Sequence, residues 1–183
     1  PGLGRSAWSE ALYQQAQRAH KPTVLDADGL FWLAQNGQWQ GGPLTITPHV
    51  GEAARLLACS AQSVQAERLA AARALAKQYG CQGVLKGVGS VVFDHSGTRL
   101  AVCAHGNPGM ASAGMGDVLS GVLGGVLARE GVASSSQVYA MLSAGVAIHS
   151  AAADVAAQRT GLRSLVATDV IAALPELLRV AGD

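Results

Sequence analysis

Gly106-Asn107-Pro108-Gly109-Met110-Ala111-Ser112-Ala113-Gly114-Met115-Gly116-Asp117 runs directly into a segment where Val118, Leu119, Val122, Leu123, Val126 and Leu127 repeat at helical spacing. The pattern places a helix start at Gly114-Met115-Gly116-Asp117 and a helix over 117–129. A helix start presents unpaired N–H groups and a partial positive charge, which suit a phosphate. Glycine lets the backbone come close to that phosphate. Asp117 is the only carboxylate in the stretch, and two roles are open to it. Aspartate is a favoured helix cap. It would also repel a phosphate, unless it takes a proton from a hydroxyl that attacks phosphorus. Neither G-x-x-x-x-G-K-[ST] nor G-x-G-x-x-G occurs here.

Outward from that stretch, strands alternate with helices. Helical patterns cover 6–20, 51–58, 63–78, 136–153 and 168–178, and Gly80 is a plausible stop. In the first of these, Trp8, Leu12, Ala16 and Ala19 share a face. Short strands are expected over 23–26, 44–47, 83–86 and 90–93, with 99–103 returning as a hairpin partner after the His95-Ser96-Gly97 turn. Residues 37–43 read as a surface loop. The alternation argues for a layered α/β fold with a largely parallel sheet, which binds ligands at the carboxyl ends of its strands. Polar residues stand at those ends in turn: Asp26, His49, Lys86, then the glycine-rich loop.

Each of these has a structural and a chemical reading. In Thr47-Pro48-His49-Val50-Gly51-Glu52, His49 and Glu52 are three apart and can both face the crevice, or Thr47 or His49 closes a helix. Asp26 and Asp28 organise water or a cation, or Asp28 caps the next short helix. Lys86 at a strand end is solvated, or it enters a ligand turn formed with Gly87, Val88, Gly89 and Ser90. His149, in an apolar helix pattern, reads as a packed core or interface histidine. His20, His95 and His105 lack metal partners at useful spacing.

The run G-N-P-G-M-A-S-x-G-M-G-D-V-L-S-G resembles the signature of the ADP/ATP-dependent NAD(P)H-hydrate dehydratases of the ribokinase-like superfamily. Ala113 stands where that family often has Gly. T-P-H-x-G-E resembles its second signature, D-A-D-G-L a third, and K-G-x-x-[ST] its nucleotide segment. After D-A-D-G-L, Phe31-Trp32 departs from the family's usual Asn. His149…Ala152-Ala153-Asp154 and Ala167-Thr168-Asp169…Leu174-Pro175 resemble recurring family segments that carry less chemistry. The resemblance spans residues 1 to about 179.

What the resemblance implies is specific. The fold is a ribokinase-like three-layer αβα domain over 1–183, without its opening strands and helices, since Pro1-Gly2-Leu3-Gly4 resembles a mid-domain turn. The chain alone is then not expected to be a stable, active monomer. The activity is nucleotide-dependent dehydration of hydrated NADH or NADPH. Asp117 is the base; Gly4, His49 and Asp117 hold substrate. Lys86, Gly87, Val88, Gly89, Ser90, Asn107, Gly114 and Gly116 hold ADP or ATP. Glu52 and Asp26 help organise magnesium and phosphate, with no direct protein ligand set assigned. An upstream epimerase domain or fragment is an implied partner. The alternatives are a vitamin-precursor or small-sugar kinase of the same superfamily, or a non-catalytic nucleotide-binding module.

Composition bounds the rest. The 183 residues suffice for one domain with a sizeable core; 49% are hydrophobic and 14% charged, which excludes disorder. A net charge of +1 gives no electrostatic case for nucleic acid or an anionic membrane. No apolar run reads as long enough to span a bilayer. Cys59, Cys81 and Cys103 lack metal-ligand spacing, and a cytoplasmic setting with reduced thiols is expected. Small apolar helix faces make self-association plausible.

Overall fold

Thr23–Leu25 (β1), Leu44–Ile46 (β2) and Gln82–Leu85 (β3) pair in parallel, and Val91–Phe93 (β4) and Leu100–Val102 (β5) continue the sheet antiparallel, in the order β1-β2-β3-β4-β5. This computed structural model describes residues 1–128 and 134–179. The helices are Ala7–Arg18 (α1), Asp28–Asn36 (α2), Val50–Leu56 (α3), Ala61–Ala66 (α4), Arg68–Tyr79 (α5), Met115–Leu127 (α6), Ser135–Thr160 (α7) and Ala167–Leu178 (α8).

Strand periodicity sorts the side chains into two cores, because successive residues face opposite sides. Leu44, Ile46, Leu85, Val91 and Phe93 point into a cluster with α1 to α5. Val84 and Val92, one step out of phase, meet Leu119 and Leu123 of α6 and Leu142 and Val146 of α7. A third cluster joins α6, α7 and α8 through Met115, Ala152, Ala156 and Val170. The result is the expected three-layer αβα arrangement around a mixed, mostly parallel sheet.

Four expectations need correction. The helix predicted over 63–78 is two helices, broken at Glu67 (φ −127°, ψ 54°). The break starts α5 at Arg68, whose side chain then reaches the β3–β4 turn. The helix predicted to end at 153 runs to Thr160 and stops at Gly161. Ala156 keeps packing against α8, so burial carries the helix past the predicted end. On α1, the apolar face of Trp8, Leu12, Ala16 and Ala19 is exposed, while Ser9 and Tyr13 are buried. Tyr13 docks edge-on against Trp39 (centroids 5.5 Å), and burial pushes its phenol up to about 12. The docking partner, not the apolar count, chose the face. Finally, α7, at 26 residues, is long and apolar enough to cross a bilayer, contrary to expectation. In this fold it packs between α6, α8 and the sheet. The predicted helix end at Arg129 lies outside the described residues.

Candidate active site

Because β5 is antiparallel to β4 and β4 to β3, the ends of β1, β2, β3 and β5 lie at one edge of the sheet. Asp26, His49, Lys86 and the glycine-rich loop follow those four ends. A cavity of about 1000 Å³ opens there. Its lining includes Asp26, His49, Glu52, Lys86, the 87–90 turn, Asn107, Gly114, Gly116 and Asp117. Gly4 does not line it. The Gly4 N–H donates to Asp28 Oδ2 (2.9 Å) and its carbonyl accepts from Trp32 Nε1 (3.1 Å). Asp28 thus ties the N-terminal segment to α2 rather than capping it.

The floor of the cavity is an ion pair. Asp26, 2% exposed, accepts Lys86 Nζ on Oδ1 at 2.5 Å and Ser120 Oγ on Oδ2 at 3.1 Å. Glu52 Oε2 stands 3.9 Å from the same ammonium. A buried carboxylate persists when paired and hydrogen-bonded, and both conditions hold here. Ala27, next along the cavity wall, sits at φ 48°, ψ −112°, a conformation that costs on the order of 1–3 kcal/mol for a non-glycine residue.

His49 is both a cap and a wall of the cavity. Its Nδ1 accepts from Gly51 N (3.0 Å) and Glu52 N (3.3 Å), and the Glu52 carboxylate accepts from His49 N (2.8 Å). This reciprocal box starts α3. An accepting Nδ1 assigns the ring proton to Nε2, which lies 3.4 Å from Glu52 Oε1.

Two loops line the cavity, each pinned by a residue that was not assigned to the site from sequence. Arg68 donates to the carbonyls of Leu85 (3.2 Å) and Gly89 (3.1 Å), under the 87–90 turn. Partial burial pulls its guanidinium below its usual range. Gly89 takes φ 67°, and Ser90 Oγ donates to the Gly87 carbonyl. On the other side, Asp154 of α7 accepts from Gly106 N (2.9 Å) and Asn107 Nδ2 (2.8 Å). Asn107 Oδ1 in turn accepts from Gly109 N, at the start of a 3₁₀ turn over Pro108–Ala111. No local signal marks Arg68; Asp154 was legible only as part of a recurring segment.

Helix α6 then begins at Met115, capped by Gly114 in the left-handed region (φ 85°). Its first intrahelical bond is Val118 N to Gly114 O, which leaves the N–H groups of Met115, Gly116 and Asp117 free of intrahelical acceptors. Asp117 is exposed, and its carboxylate has no hydrogen-bond or ion-pair partner among the described residues. It therefore stands free at the positive end of a helix, facing the cavity. His149 also borders the cavity, 4% exposed, with Nε2 lacking any partner among the described residues. Burial pulls its pKa down to about 4, against a weaker opposing effect from a backbone hydrogen bond with Met115. It is a neutral packed histidine, as its apolar helix pattern suggested.

Fold and cavity together define an α/β protein of ribokinase-like architecture, with its site at the strand ends and an aspartate at a helix start. The sequence model of the NAD(P)H-hydrate dehydratase family matches residues 1–176, and the chain belongs to that family. It is 44% identical over 179 residues to a bifunctional NAD(P)H-hydrate repair enzyme of Vibrio cholerae, covering 97% of this chain and 34% of the relative. It is 37% identical over 183 residues to the ADP-dependent (S)-NAD(P)H-hydrate dehydratase of Neisseria meningitidis, covering 97% and 60%. The ADP/ATP-dependent NAD(P)H-hydrate dehydratase of Bacillus subtilis, co-crystallised with ATP and magnesium, superposes with a TM-score of 0.82 at 27% identity. That match covers 97% of this chain and 61% of the other. The chain spans about a third of the length of the bifunctional relatives it matches.

Proposed function

We propose that this chain carries the nucleotide-dependent dehydration of hydrated NADH and NADPH, restoring the reduced cofactor. One observation carries the reading: the carboxylate of Asp117, without a hydrogen-bond or ion-pair partner among the described residues, stands at the start of α6 beside N–H groups that have no intrahelical acceptor, and opens on a cavity of about 1000 Å³. Family membership supports the substrate class.

Hydroxide is a poor leaving group, so the ring hydroxyl of the hydrate must be activated. Asp117 takes the hydroxyl proton as its oxygen attacks the terminal phosphorus of ADP or ATP. The nucleotide departs one phosphoryl group shorter. The C–O bond then breaks, phosphate leaves with that electron pair, and the neighbouring ring carbon gives up a proton to the departing phosphate or to water, so that its C–H electrons form the restored double bond. The N–H groups of Met115 and Gly116 stabilise charge on the transferring group. His49 orients the hydrated ring; its fixed tautomer offers one N–H donor. The 87–90 turn and the Asp154-anchored loop hold the nucleotide.

Magnesium belongs to this reading as a companion of the nucleotide; when bound, it neutralises phosphate charge. The residues fit that form. Asp26 and Glu52 supply hard oxygen donors but already face Lys86, and the described residues contain no group of three or more His, Cys, Asp or Glu side chains placed to hold a metal. Magnesium would be carried mainly by the nucleotide phosphates and water, which it gives up reluctantly, with Glu52 and Asp26 as the nearby oxygen donors that would help hold it.

Relatives named as bifunctional repair enzymes support a second repair activity as a neighbour, and an epimerase is the one the sequence resemblance implies. The free thiols Cys59, Cys81 and Cys103 suit the cytoplasm. Exposed Trp8, Ile171 and Leu178 support self-association. The test is direct: mix the protein with hydrated NADPH and ADP or ATP and follow the absorbance of restored NADPH. Recovery that requires nucleotide supports the reading; recovery absent with both nucleotides overturns it.

A further inference from the structure

We propose that Ser120, acting through Asp26 and Lys86, is a positioning residue that fixes the first turn of α6, and with it Asp117, over the strand ends. The catalytic consequence rests on the function proposed above; the mechanical one does not.

A serine inside a helix commonly bonds back to the carbonyl four residues earlier. Ser143 of α7 does this, donating to the Tyr139 carbonyl at 2.9 Å. Ser120 does not. It is 7% exposed and donates to Asp26 Oδ2 at 3.1 Å, across 94 positions of sequence. The other oxygen of Asp26 holds Lys86 at 2.5 Å. One turn earlier, on the same face of α6, a Cβ on Gly116 would stand 3.2 Å from Lys86 Nζ and 3.4 Å from Asp26 Oδ2. The backbone of the first turn therefore rests on the ion pair with no side chain between.

The helix meets one buried charge pair at two points, Gly116 by close approach and Ser120 by a hydrogen bond. Asp117 lies between them in sequence, and its carboxylate makes no hydrogen bond or ion pair among the described residues. Its position follows the backbone of the first turn, which the packing of Met115 and Leu119 holds on the layer and the ion pair holds at the strand ends. Hydrogen bonds to charged groups are stronger and more directional than neutral ones. Phosphoryl transfer depends on placement, and a misplacement of about 1 Å costs on the order of 10²-fold in rate.

The experiment uses Ser120→Ala and Ser120→Thr in the full chain. Alanine has the higher helix propensity, so the helix itself is retained. Amide exchange at Val118 and Leu119, the first amides bonded within α6, should speed up roughly tenfold or more in the alanine variant, as expected for losing one charge-assisted bond. Exchange over 123–127 should stay unchanged. Under the proposed activity, kcat should fall about 10- to 100-fold while nucleotide Kd and substrate KM stay within about threefold. Threonine, which keeps the hydroxyl, should restore both exchange and kcat. Unchanged exchange in the first turn would overturn the proposal. So would exchange rising over all of α6, with kcat, KM and the thermal midpoint worsening together and no rescue by threonine. If the wild-type chain shows no dehydratase turnover, the functional reading fails, and the exchange measurements still decide the positioning claim.

Discussion

Replacing Asp117 by Asn separates a base from a cap. The carboxylate is exposed, at the third position of α6, and has no partner among the described residues. Its contribution to folding is then the favourable placement of a negative charge at a helix start, about 0.3–1 kcal/mol. Asparagine keeps the shape and loses the charge, so the unfolding free energy should fall by no more than about 1 kcal/mol. Losing a general base costs on the order of 10²–10⁴ in rate, or roughly 3–5 kcal/mol at the transition state. The two effects differ severalfold in energy and are read by different instruments. Urea unfolding followed by circular dichroism gives the first. Restored NADPH absorbance under saturating hydrate and nucleotide gives the second, and calorimetric titration of ADP checks that binding survives. A folded variant that keeps kcat within a factor of ten of wild type would refute the assignment of Asp117 as base. A loss of several kcal/mol in stability would instead show that the carboxylate is structural.

Lys86→Met should destabilise the fold by about 3–5 kcal/mol, because it strands the buried Asp26 carboxylate with Ser120 as its remaining donor; urea unfolding decides, and a cost below about 1 kcal/mol would contradict the ion-pair account. Asp154→Ala removes two charge-assisted bonds to the glycine-rich loop and should weaken ADP binding roughly tenfold by calorimetry, with the unfolding transition still cooperative. Stability should fall on acidification between the ordinary histidine value of 6.5 and about 4, because His149 is neutral when folded and the unfolded chain binds the extra proton. The full window is worth about 3 kcal/mol, and His149→Gln should flatten the pH dependence of the unfolding midpoint; an equally steep dependence in the variant would contradict it.

The sequence by itself determined what depends on neighbours along the chain. The 3.6-residue repeat after Asp117 and the glycines before it set a helix start with an acid in its first turn, and that is where α6 begins. Short apolar strands ending in Asp26, Thr47 and Lys86 implied a crevice at their carboxyl ends, because a mostly parallel sheet delivers successive strand ends to one edge. A cap from Thr47 or His49 was legible for the same local reason, and the structure gives it to His49, with Glu52 closing a reciprocal box. Tertiary structure alone decided which of these groups meet. Lys86 and Asp26 are 60 positions apart, Ser120 and Asp26 are 94, and Asp154 and Gly106 are 48. Nothing in the local pattern of either partner records such a pairing. The same gap misread α1, where four apolar residues mark a face but Tyr13 found Trp39 and turned the helix the other way. Local periodicity fixes what an element is. The order of the strands and the packing of the layers fix what its side chains touch, and a carboxylate becomes the floor of a site only when distant parts of the chain bring it a cation.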